Sequence, residues 1–159
     1  MLTKPDKIEY VYGNLIKMAK DRQIDVLVHG TNCFSNLEIG FSKEVSKYFP
    51  KVLDADWKTK AGDINKLGTY TYATYRHYED QKLLYVVNAY IRYGFDVDNS
   101  AINFESFRYV MRQLHNDFEG LIIGMPLFSK KYWEILQNII YEELNDDVVW
   151  IVSRPEASR

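Results

Sequence analysis

Residues 24–30, IDVLVHG, set Val26, Leu27 and Val28 in unbroken succession between an aspartate and a closing histidine–glycine pair. A strand with one wet face alternates apolar and polar side chains, so an uninterrupted run of this length reads as a strand covered on both faces. Cover on both faces requires helices before and after, and the remaining segments supply them. KIEYVYG at 7–13 has a period of two and stops at Gly13. Residues 40–49 place Phe41, Val45, Tyr48 and Phe49 at helical spacing with Pro50 just beyond, and a second short helix is expected over 52–59. AGDINKLG at 61–68 is a turn-rich loop, and KTKAGDINKLG as a whole reads as a solvated, charged segment.

TYTYATY at 69–75 alternates strictly, and KLLYVVNAY at 82–90 is a more buried strand. Over 101–117, Ile102, Phe104, Phe107, Val110, Met111 and Leu114 follow one helical stripe. GLIIGMP is a short buried strand ended by Pro126, YWEILQNIIYEEL an amphipathic helix, and DVVWIVS the final strand. This βα alternation predicts an α/β sandwich around a mixed, mostly parallel sheet. Its strands are expected near 8–12, 25–29, 69–75, 83–89, 120–125 and 148–152, within one domain spanning residues 1–159. Trp57, Trp133 and Trp150 are expected to be packing residues, Trp133 anchoring the last helix.

Composition narrows the function classes. A net charge of −2 over 159 residues argues against a general nucleic-acid binder, which needs a basic face. One cysteine allows no internal disulfide and fits a reducing compartment. No run approaches the roughly 20 apolar residues of a membrane span, and MLTKPDKIEYVYG holds no apolar signal core. A cytoplasmic protein is the expectation, with no membrane partner. Three scattered histidines and one cysteine do not suggest a structural zinc site, and no metal or cofactor is expected. The 13 tyrosines supply amphipathic surface for a pocket or a protein interface.

In sheets of this kind ligands collect at the carboxyl ends of the strands. Three polar stretches fall there: the turn expected at His29–Cys33, then Asn88–Tyr93, then Pro126–Ser129. They are expected to converge on one crevice.

The order VYGNL, VLVHGTNC, GFSKEVSKYFP, KTKAGDINKLGTY, LLYVVNAYIRYG, NFESFRYVMRQL and IIGMPLF…W resembles a macrodomain over residues 8–152. It is most similar to the small phage and yeast branch associated with ADP-ribose-1''-phosphate phosphatase activity. The resemblance implies a three-layer α/β/α sandwich with ADP-ribose, or a related NAD-derived nucleotide, in a cleft over the strand ends. It implies an adenine contact at Asn14 beside Leu15, and a catalytic Asn32 that orients the distal ribose and water. His29 would act as base or relay, with Thr31 and Cys33 beside it. Gly40 and Phe41 would close the first phosphate loop, Asn88 and Tyr90 flank the ribose, and Pro126, Phe128 and Ser129 form the second loop.

Three positions depart from the family pattern. Glu38 stands where a glycine is usual, and a carboxylate about 4 Å from a pyrophosphate would repel it by roughly 1 kcal/mol in water and more in a cleft. PLFSKKYW is short and lacks glycine, with Ser129 nearest the acidic residue that some relatives carry. Arg92 stands where many relatives have a Gln-like residue. Three readings follow: a metal-independent hydrolase of ADP-ribose-1''-phosphate or an ADP-ribosyl linkage, a nucleotide-binding module without turnover, and a degenerate macrodomain whose crevice meets a protein partner. By residue pattern alone, Asn32 and Asn14 also suit turns or helix caps, His29 a structural role and Cys33 a buried filler.

Overall fold

A computed structural model describes residues 2–95 and 101–154. Six strands form one sheet in the order β1-β6-β5-β2-β4-β3. They are β1 (Ile8–Tyr12), β2 (Val26–Asn32), β3 (Tyr70–Arg76), β4 (Leu83–Arg92), β5 (Ile123–Pro126) and β6 (Val149–Ser153). Every pairing is parallel except the edge pairing of β3 with β4. The helices are α1 (Leu15–Lys20), α2 (Gly40–Tyr48), α3 (Lys51–Trp57), α4 (Phe104–Asp117) and α5 (Trp133–Glu143).

The unbroken run in β2 is buried on both faces, as its pattern requires. Val26 and Val28 join Val87, Ala89 and Ile91 of β4 in a core shared with Phe107, Val110, Met111 and Leu114 of α4 and Leu136 and Ile140 of α5. Leu27, Leu84 and Val86 point the other way, to Leu15, Ile16 and Ala19 of α1, Val45 of α2 and Val52 of α3. Two cores on two faces make the α/β/α sandwich. Gly124 lets α1 and Ile24 pack closely over β5: a Cβ there would lie 2.6 Å from Ile24 Cδ1 and 2.9 Å from Leu15 Cδ1, so those side-chain tips would have to shift.

All six expected strands are present. Four details differ from the sequence reading. Helix α1 is not anticipated by the sequence pattern, because its six residues span fewer than two turns of periodicity. Strand β2 runs on to Asn32, so His29–Asn32 are strand rather than turn; a register shift between Thr31 and Asn32 sets them opposite Tyr90 and Arg92. Trp57 is 63% exposed at the end of α3 and packs into neither core. Lys66 is buried, although its segment reads as solvated. Among the described residues, no helix is long and apolar enough to cross a membrane.

Candidate functional site

Chain direction places the carboxyl ends of β2, β4, β5 and β6 along one rim of the sheet, with β2 the strand from which the connections diverge to either side. A cleft opens there. Its first lobe, about 450 Å³, is lined by Gly30, Thr31 and Asn32 of β2, Arg92 of β4, Pro126–Phe128 after β5, Gly94 and Phe95, Asn36 and Ile39, and Gly40–Ser42 at the start of α2. The second lobe, about 430 Å³, shares Gly40, Phe41, Pro126 and Leu127 with the first and continues to Gly13, Leu15, Val152 and Ser153. Lys130 and the ion pair of Arg154 with Glu44 border it.

The lobes meet at the N-terminus of α2. Gly40 opens that helix at φ +55°, a left-handed conformation that glycine adopts without a Cβ penalty, and space around it is open. The preceding residue, Ile39, offers no capping side chain, and the first turn carries no acidic residue. The helix dipole and its free N–H groups therefore face the junction, which suits an anion.

Behind the first lobe runs a buried polar chain. Ser42 Oγ lies 2.9 Å from His29 Nδ1, and His29 Nε2 lies 2.6 Å from Asn88 Oδ1. The Asn88 amide donates to the Val52 carbonyl (2.9 Å) and to Thr71 Oγ1 (3.1 Å), which uses both of its N–H groups. Its oxygen must then accept, so His29 carries its proton on Nε2 and Nδ1 accepts from the Ser42 hydroxyl. Ser42 has a second acceptor within reach, the Gly30 carbonyl at 3.0 Å, so one proton is shared between two partners. Complete burial lowers the His29 pKa to about 4, which keeps the ring neutral at ordinary pH.

The chain continues from Thr71 Oγ1 to the Tyr90 hydroxyl (3.0 Å), which donates to Asp56 Oδ1 at 2.6 Å. Burial, with the Asp56 carboxylate adding to it, pushes the Tyr90 phenol well above its ordinary value. Asp56 pairs at 3.8 Å with Lys66, whose ammonium lies 4.7 Å from the centre of the Tyr90 ring.

The structure thus brings Thr31, Asn32, Gly40, Phe41, Pro126 and Phe128 to the cleft, with Leu15 in its second lobe. Others lie elsewhere. His29, Cys33, Asn88 and Tyr90 are fully buried; none lines the cleft, and His29 reaches it only through Ser42. Burial raises the Cys33 thiol pKa, consistent with an inert filler. Asn14 is exposed and caps α1, its Oδ1 accepting from Lys17 N at 3.1 Å. Ser129 Oγ accepts from Tyr132 N at 3.2 Å, at the entry to α5. Glu38 lines neither lobe; it borders a groove with Lys43 and Lys47 that meets both lobes at Gly40.

Asn32 is 5% exposed and holds the following loop: its amide donates to the Asn36 carbonyl (2.8 Å) and accepts from Phe34 N (2.9 Å). One N–H and one lone pair remain for a ligand. Sequence reasoning passed over Ser42, Asn36 and Ile39, which carry no motif, and marked Arg92 only as a departure.

No family model matches the sequence. An uncharacterized 17.5 kDa protein from the tk-vs intergenic region of Enterobacteria phage T4 is 28% identical over 145 residues, covering 84% of this chain and 87% of that protein. Among solved structures, the Streptomyces coelicolor macrodomain protein superposes with a TM-score of 0.70 at 16% identity, over 93% of this chain and 99% of its own. The macrodomain of Thermus aquaticus DarG gives 0.68 at 17% identity, over 93% and 98%. Thermosipho africanus DarTG, solved in complex with ADP-ribose, gives 0.70 at 15% identity, over 97% of this chain and 43% of that one. Sheet order, helix layers and these superpositions agree: the chain has the macrodomain fold.

Proposed function

We propose that the chain binds ADP-ribose, or a closely related NAD-derived nucleotide, across the two lobes and hydrolyses a bond at the distal ribose. The observation that carries this reading is the junction of the lobes at the uncapped N-terminus of α2, where a diphosphate would join two bound halves. The relative solved with ADP-ribose supports the ligand class. The apolar wall of the second lobe, with Leu15, Phe41 and Val152, suits a nucleobase, while Thr31 and Asn32 offer polar atoms to a ribose.

For a 1''-phosphate, a water oxygen would bond to phosphorus as the bond from phosphorus to the anomeric oxygen breaks. ADP-ribose and inorganic phosphate leave, and the anomeric oxygen takes up a proton. The attacking water would lose its proton to Ser42 Oγ as Ser42 passes its own to His29 Nδ1, so His29 acts through the hydroxyl. A ring of pKa about 4 is a weak base, so orientation and the positive field of the cleft would contribute most of the acceleration. An ADP-ribosyl linkage would use the same water against the anomeric carbon.

A second reading has its own support. Arg92 is the only ionisable side chain lining the first lobe among the described residues, which favours a nucleotide-binding module without turnover. Isothermal titration with ADP-ribose, then incubation with ADP-ribose-1''-phosphate and with an ADP-ribosylated target, separates the readings. Binding with phosphate or ADP-ribose release supports the hydrolase, and binding without release supports the module. No binding at ligand concentrations of about 1 mM, where affinity falls to about 4 kcal/mol, overturns both and leaves the protein-docking reading.

A further inference from the structure

We propose that the free edge of β3 pairs with β3 of a second copy of this chain, joining the two sheets across a two-fold axis at Ala73. The inference stands apart from the nucleotide reading and does not depend on it.

Strand order leaves two edges, β1 and β3. An open edge is a template for another strand, and monomeric proteins blunt it with short length, proline, lysine, a bulge or a cover. The β1 edge is blunted by its own chain: Ile8 N donates to the Pro5 carbonyl (3.1 Å), and Lys4 Nζ donates to the Ile8 carbonyl (2.5 Å). The β3 edge lacks these devices. Its seven residues, YTYATYR, hold no proline or lysine, and its register with β4 runs from Tyr70 to Arg76 without a bulge.

The hydrogen bonds that flank β3 show which of its residues face outward. Tyr90 N donates to the Thr69 carbonyl (3.0 Å) and His77 N to the Lys82 carbonyl (2.9 Å), so odd-numbered residues turn their backbone groups toward β4. Tyr70, Tyr72, Thr74 and Arg76 turn theirs to the open side, and nothing among the described residues bonds to those groups there. Setting Ala73 opposite Ala73 is the one antiparallel register that matches all four. It pairs Tyr70 with Arg76 of the second copy, and Tyr72 with Thr74.

That register is also complementary in charge. The four side chains lie on the α4 face, where Tyr70 and Tyr72 pack on Phe118 and the Tyr70 hydroxyl donates to Asp117. Asp117 is exposed and accepts also from Gln113 Nε2 (2.9 Å). Arg76, exposed at the other end of the strand, makes only a long contact with the Gln81 carbonyl, 3.4 Å. Neither belongs to an ion pair among the described residues. The two-fold axis brings Arg76 of each copy beside Tyr70 and Asp117 of the other. A strand from an unrelated protein would match the backbone groups without this reciprocal pair of charges, which favours a second copy as the occupant. The axis stands perpendicular to the sheet, so the α4 layers share one side and the two clefts open at opposite rims.

The test is sedimentation equilibrium of the full chain from about 1 µM to about 1 mM. Monomer and dimer should exchange with the modest affinity of a small interface, a Kd of about 10–100 µM. Thr74→Pro removes an outward N–H, leaves the β4 pairing intact, and should give monomer only. Arg76→Asp and Asp117→Arg should each weaken the dimer roughly 10-fold, because each change counts twice across the axis. The Arg76→Asp/Asp117→Arg double variant should recover most of that loss. A wild type that stays monomeric throughout overturns the proposal. A dimer untouched by Thr74→Pro places the contact elsewhere and overturns it too. Single losses with no recovery in the double variant overturn the register at Ala73. Thermal melts close to wild type show that each variant keeps its fold; if Thr74→Pro unfolds, Tyr72→Lys, which sets a charge on the same edge, takes its place.

Discussion

His29 shows how a residue's chemistry follows from what surrounds it. Its ring is buried against Ser42 and Asn88, and its pKa falls from 6.5 to about 4 because desolvation outweighs the Asn88 hydrogen bond. The unfolded chain takes up a proton near pH 6.5, and the folded protein does so only near pH 4. Stability is therefore fully present above pH 6.5 and is lost as pH falls through that window. The displacement corresponds to roughly 3 kcal/mol. Urea unfolding at steps between pH 7 and 4 should show this loss, and His29→Gln should flatten the dependence while lowering stability at neutral pH. A wild-type profile flat across the window would mean that the ring is hydrated.

At the scale of elements, two short segments lean on single side chains. Helix α1 has only six residues, too few to persist without a cap and a packed face, and Asn14 supplies the cap. Asn14→Ala should cost about 1 kcal/mol in denaturant unfolding, with nucleotide affinity unchanged. A drop in affinity at constant stability would instead restore the adenine contact that the family resemblance implies. The segment between α3 and β3 is pinned by Lys66, which is 6% exposed and paired with the fully buried Asp56. Removing one partner strands the other charge, so Lys66→Ala should cost about 3–5 kcal/mol. The Lys66→Ala/Asp56→Asn double variant should recover part of that, measured as a double-mutant cycle. Equal and additive losses would show that the pair is not coupled.

Across the whole molecule, the cleft joins the β1–β6–β5 half of the sheet to the β2–β4–β3 half. A nucleotide spanning both lobes binds only the folded chain and stabilises it by about 2.7 kcal/mol at a hundredfold excess over Kd. ADP-ribose should therefore raise the melting temperature with a concentration dependence that returns the calorimetric Kd. AMP and ribose 5-phosphate, which on the proposed reading would each occupy one lobe, should together do less, because each loses its own freedom on binding. A shift with AMP as large as that with ADP-ribose at the same excess over the ADP-ribose Kd would confine the site to the second lobe.

The architecture was legible in the chain itself. Val26–Val28 without a polar break, strict alternation in TYTYATY and the 101–117 stripe each specify an element through a local period, and their order leaves few sheets to build. The crevice was legible too, since strand carboxyl ends are known once strands are. Where side chains point was not. The register shift after Thr31, the burial of Lys66 and the hydrogen bond between Ser42 and His29 arise from segments brought together from distant parts of the chain. Apolar periodicity is a property of neighbours along the sequence. The direction and protonation of a polar side chain depend on which distant atoms remove its water, and only the packed tertiary structure decides that.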